Sequence, residues 1–176
     1  MRFKETNRIE LKERFTSDLK KEIVAFANTE GGTIYIGVAD DGTIVGLESP
    51  QEELERISNA ICNGIKPDLS AYTNVGITCE YGCPIIEVTV HRGEKRPYHL
   101  SDKGFKPNGV YIRHGVISIP ASEDNIREMI RQSDGFTFDK VRSLHQELTF
   151  EYATQYFAKR KVNFFRSEQT NLGDDR

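Results

Sequence analysis

The chain has 176 residues, 37% of them apolar and 10% aromatic, enough to bury the core of one ordinary domain with an appendage and too few for two full domains. Its formal net charge of −3 excludes a tail-like mode in which bulk positive charge holds nucleic acid, so any such contact must come from a local patch. No apolar run approaches membrane-spanning length. Three cysteines, an odd number, and a Met-Arg-Phe-Lys start without an apolar signal region point to a reducing, cytoplasmic setting.

In chain order, Ile9 and Leu11 alternate with Glu10 and Lys12, the period of a half-buried strand that presents Glu10 and Lys12 on one polar face. Glu5 lies an odd number of residues before Glu10, so the two carboxylates converge only if Glu5 sits in a turn ahead of the strand. From Ser17 to Asn28 the positions Leu19, Ile23, Phe26 and Ala27 share a helical face, and Gly31-Gly32 stops the helix. Thr33 to Val38 predicts a strand, Asp40-Asp41-Gly42 a hairpin turn, and Thr43 to Leu47 the returning strand. Ser49-Pro50-Gln51-Glu52 has capping-box spacing with proline at the first helical position. The helix it opens carries Leu54, Ile57, Ile61 and Ile65 and stops near Pro67.

Val75 to Cys79 and Ile85 to Val90 predict two strands around Gly82-Cys83-Pro84, and a polar stretch from His91 to Gly109 leads to short strands at Val110–Arg113 and Val116–Ile119. Ser122 then caps a helix whose Ile126, Met129 and Ile130 face inward. These elements define a main domain over residues 1–133. Residues 134–176 read as a helical extension or linker, with Thr149 capping a helix on which Phe150, Ala153 and Phe157 align. Its aromatic side chains make a homodimer contact one expectation and packing on its own domain the other.

Charge is unevenly spread. Asp40 to Ile57 holds six carboxylates against Arg56 alone, and His91 to His114 holds six Lys/Arg against Glu94 and Asp102. In the basic stretch Arg92, Lys95, Arg96, Tyr98 and His99 interleave cations with rings, and Arg113-His114 closes a later strand. Cations hold phosphates and rings stack on unpaired bases, while the plain alternative is a solvated loop. Cys79 and Cys83 with His91 and His99 do not match familiar zinc spacing, so no structural zinc is expected. No Walker-type phosphate loop is present.

Several ordered pieces resemble the Schlafen AlbA-like domain. They are Glu5-Thr6 through Glu10-Leu11-Lys12, Ala25 to Gly32 leading to Ile36-Gly37-Val38, Gly42 to Gly46, Arg96-Pro97-Tyr98, and Val110 to Gly115. The resemblance covers roughly residues 1–133 and implies an α+β fold with a mixed, mostly antiparallel sheet and packed helices. It implies a nucleic-acid-binding domain, for RNA or DNA, of a bacterial transcription regulator, with contacts at Arg92, Lys95, Arg96, Tyr98, Arg113 and His114. The alternative it implies is a metal-dependent endoribonuclease, in which Glu5, Glu10 and Glu48 bind Mg²⁺ or Mn²⁺ and Lys12 holds the scissile phosphate. A third implication is a nucleotide (ATP) sensor. Glu48 stands where the nuclease pattern has aspartate, and it is also read as a carboxylate next to a helix N-terminus.

Overall fold

The computed structural model describes residues 3–133. The extension expected over 134–176 and its contact surface lie outside the described residues. Within them the chain runs β1 (Ile9–Lys12), α1 (Leu19–Asn28), β2 (Gly32–Ile36), α2 (Pro50–Gly64), β3 (Ile65–Lys66), β4 (Thr73–Glu80), β5 (Cys83–Val90), β6 (His99–Leu100), β7 (Tyr111–His114), β8 (Ile117–Pro120) and α3 (Glu123–Ser133). The fold is α+β. A four-stranded sheet has the order β1-β2-β5-β4, and the short pairs β3-β6 and β7-β8 complete the ladders. Only β1 and β2 run parallel, joined through α1; the other paired strands are antiparallel.

One face of the sheet carries the main core. Ile34 and Ile36 of β2 and Ile86, Val88 and Val90 of β5 meet Leu19, Ile23 and Phe26 of α1 and Ile57 and Ile61 of α2. α1 is buried well beyond the predicted stripe, from Ile23 through Asn28, because it lies between the sheet and the β7-β8 hairpin and has little solvent face left. Gly31 ends it at φ +75 and donates to the Phe26 carbonyl at 2.9 Å. A Cβ there would stand 2.6 Å from the Val90 oxygen, so both backbone conformation and space call for glycine. On the opposite face of the sheet a smaller cluster joins Leu11, Val38 and Ile85 with Phe3, Ile9, Tyr35 and Ile44 packed against it.

Two local expectations are corrected. Thr43 to Leu47 is not a returning strand. The amides of Val45 and Gly46 both donate to the Gly37 oxygen, so the bonds converge on one carbonyl instead of alternating along a ladder, and only the Val38–Ile44 bridge forms. Asp41 accepts the Thr43 amide at 2.8 Å, which makes it a turn former. Ser49 begins α2 without a side-chain cap bond. The α3 cap is present, with the Asn125 amide donating to Ser122 Oγ at 3.1 Å, and Ile126 and Met129 join Val110 and Ala121 in a separate core under the hairpin.

Candidate functional site

The register of β1 on β2 decides where the predicted acids go. Glu10 lies opposite Ile34 and Lys12 opposite Ile36, so both side chains point to the face that α1 covers. The expected solvated strand face is therefore interior, and Glu10 is only 6% exposed. Burying a charge requires partners, and the strand finds them in β7. Arg113 Nη2 donates to Glu10 Oε2 at 2.6 Å and to the Thr6 carbonyl at 3.2 Å. Its Nη1 donates to Glu22 Oε2 at 2.8 Å and to Ser118 Oγ at 3.2 Å. Ser118 Oγ in turn bonds Glu22, and the guanidinium lies 4.8 Å over the Phe26 ring, a cation–π contact strengthened by desolvation. Lys12 Nζ donates to Glu10 Oε1 at 2.5 Å, so each Glu10 oxygen is held by a cation.

Glu5 meets the geometric condition set by the sequence. The Thr6 amide donates to the Ile9 carbonyl and Arg8 to Thr6 Oγ1, closing a turn before β1. From that turn Glu5 Oε1 accepts the Leu11 amide at 3.3 Å. Glu48 does not join it. It is exposed and lines a cleft of about 530 Å³ with Glu13, Arg14, Glu52 and Arg56 beside Cys83. Among the described residues no group of three His, Cys, Asp or Glu is arranged to hold a metal ion. The expected triad of Glu5, Glu10 and Glu48 thus does not come together in this arrangement, since Glu10 is ion-paired to Arg113 and Lys12 and Glu48 lines another cleft.

The network shifts its own titrations. Burial pushes the Glu22 carboxyl above its ordinary 4.5; Ser118 opposes this, Glu10 adds to it, and Arg113 and Lys12 oppose it. For Lys12, burial acts to lower the ammonium, but the bond to Glu10 and the charges of Glu10, Glu22 and Glu5 together raise it above 10.5. A raised carboxyl means that the folded state binds the proton more tightly than the unfolded chain. The stability tied to Glu22 is therefore full below 4.5 and is lost as pH rises through its folded value. Urea midpoints measured across that range should fall for the native chain relative to Glu22→Gln. Parallel profiles would show that Glu22 titrates normally.

The basic stretch divides into a buried anchor and an exposed set. Tyr98 is fully buried, its ring 6.4 Å from that of Tyr72, and Gly93 passes so close that a Cβ would lie 2.0 Å from the Tyr98 ring. The expectation that Tyr98 stacks on a base is corrected, because its ring is core. Arg113 is corrected likewise: with a side chain 4% exposed and four acceptors already engaged, it does not reach a phosphate. Arg92 and Lys95 are exposed and Arg96 half-buried. Arg92 lies 3.7 Å from Glu30, Arg96 Nη2 donates to Gln132 Oε1 at 3.3 Å, and Lys95 has no salt bridge among the described residues. His114 is exposed at the hairpin end of β7.

Asn28 holds this stretch in place. Its Oδ1 accepts the Tyr98 amide at 2.7 Å, and its Nδ2 donates to the carbonyls of Tyr98 at 2.9 Å and Tyr111 at 3.0 Å. The last residue of α1 therefore joins the basic loop to β7. Neither Asn28 nor Glu22 was singled out by the sequence reading. Glu22 carried a readable signal, since it lies three residues after Leu19 and four before Phe26, inside the apolar stripe.

The architecture is a mixed sheet whose edge strand is clamped to a helix and a hairpin through buried charge. The chain belongs to the family described as Schlafen, AlbA_2, whose model matches residues 5–122. Among solved structures it is similar to the DIP2311 protein from Corynebacterium diphtheriae, with a TM-score of 0.53 and 17% identity over 71% of this chain. That likeness supports the fold, and the chain spans 24% of that protein's length. It is also similar to the N-terminal domain of a RecG-related protein from Nitrosomonas europaea, with a TM-score of 0.48 and 19% identity over 81% of this chain and 88% of that one. No helix among the described residues is long and apolar enough to cross a membrane.

Proposed function

We propose that this chain is a nucleic-acid-binding domain, for RNA or DNA, that serves as the binding part of a bacterial transcription regulator. The observation that carries the reading is the division of the loop between β5 and β6. Tyr98 and Asn28 fix its backbone from below, and Arg92, Lys95 and Arg96 are left at the surface on that fixed support. A chain of net charge −3 binds a polyanion only through such a patch, so attraction is short-ranged and sensitive to salt. The proposal is binding and not cleavage, because Glu48 lies apart from the Glu10 ion network, in a cleft with Glu52, Glu53 and Arg56.

Titrating RNA and DNA probes at increasing salt tests it. Log affinity should fall linearly with log salt, with a slope of about −2 to −3 for roughly three phosphate contacts. Lys95→Ala should weaken binding evenly across sequences and reduce the slope by about one. Undetectable binding to single- and double-stranded RNA and DNA at low salt would overturn the reading.

A further inference from the structure

Next to Lys95 and Arg96 the surface opens into a cleft of about 430 Å³, walled by Pro67, Pro97, Phe105 and Ile130. Its floor is apolar and exposed, with Phe105 at 56% and Ile130 at 38%. Phe105 is not a side chain adrift on a loose loop. The turns around it are closed by backbone bonds from Gly104 to Leu100, Lys106 to Gly104 and Val110 to Lys106, and Ser101 donates to Gly64. Gly109 crosses so close that a Cβ would stand 2.3 Å from the Gly104 oxygen. Behind the ring lies His99, centroid to centroid 4.2 Å. Burial holds the His99 imidazole below its ordinary 6.5, which favours the uncharged ring. An aromatic ring is thus held outward on a pinned turn, beside two cations, Lys95 and Arg96, and the Nε of the latter is buried without a partner.

We infer that this cleft takes one unpaired base of a single-stranded nucleic acid, stacked on Phe105, with the adjoining phosphate held by Lys95 and Arg96. The inference rests on the nucleic-acid reading above and narrows it to single strands. Duplex bases are stacked on one another and offer no face to a protein ring, whereas an unpaired base stacks on an aromatic side chain irrespective of its identity. The cations at the rim favour an anionic occupant over an apolar peptide, and the volume falls at the lower end of the range for small-ligand clefts.

The chain contains no tryptophan, which supplies a clean readout. In the full chain, Phe105→Trp places a single indole in the cleft, and a short oligouridine should quench its emission while a matched abasic strand should not. By fluorescence anisotropy, Phe105→Ala should weaken single-strand binding about tenfold, as expected for one lost stack, and leave duplex binding within about twofold. Phe105→Trp should retain single-strand affinity, which separates loss of the ring from loss of the fold. Equal binding of single strand and duplex, both unmoved by Phe105→Ala, would overturn this inference and leave the nucleic-acid reading intact. No binding of either probe by the native chain would overturn both.

Discussion

Arg113→Ala is expected to lower the unfolding free energy by about 3–5 kcal/mol, the usual cost of leaving buried charge without its partner. The magnitude follows from burial. Arg113 and Glu10 have side chains only 4% and 8% exposed, and Glu22 is 16% exposed, so solvent cannot replace the lost guanidinium. Arg113→Lys keeps the charge but not the planar fork that reaches Glu10, Glu22, Ser118 and the Thr6 carbonyl together, and should fall between native and alanine. Equilibrium urea unfolding measures both. A loss below about 1 kcal/mol for Arg113→Ala, the scale of an exposed ion pair, would show that the network is solvated in solution.

Asn28→Asp should be the second most damaging change, at about 2–4 kcal/mol. The substitution preserves shape and the acceptor for the Tyr98 amide, but replaces the Nδ2 donor with an oxygen facing the carbonyls of Tyr98 and Tyr111. A buried acceptor and a part-buried one then lose their donor and meet a charged or protonated carboxyl, each orphaned group costing about 1–3 kcal/mol. Because Asn28 joins the basic loop to β7, amide exchange should rise at Tyr98 and Tyr111 as well as on α1. Exchange confined to α1 would show that the loop is held by other means.

The pattern of the chain made the fold readable to a large extent. Helical spacing located α1 and α2, the Ser122 cap located α3, and the strands β4, β5, β7 and β8 fell within a few residues of their expected bounds. The short pairing of Ile65–Lys66 with His99–Leu100 carries no local signal, because two-residue strands leave no period to detect.

The candidate site was legible in its members but not in its wiring. The alternation of β1 correctly put Glu10 and Lys12 on one face, yet periodicity says which residues share a face and not what covers it. The cover is Arg113, 103 residues away along the chain. The same gap explains Tyr98. A tyrosine among cations is a fair stacking candidate by composition, and only the approach of Gly93 and the two-sided grip of Asn28 show that its ring is interior. Phe105, flanked by lysine and glycine in a polar run, gave no signal that its ring would be held at the surface.

The double covering of β1 sets its mutational tolerance. An edge strand ordinarily offers every second position to substitution, since one face meets water. Here Ile9 and Leu11 enter the small rear cluster while Glu10 and Lys12 are committed to the buried ion network. In a saturation scan the two buried positions, Glu10 and Leu11, should reject nearly all replacements, the charged one as strictly as the apolar one, while Ile9 and Lys12, which keep part of their surface, should tolerate more.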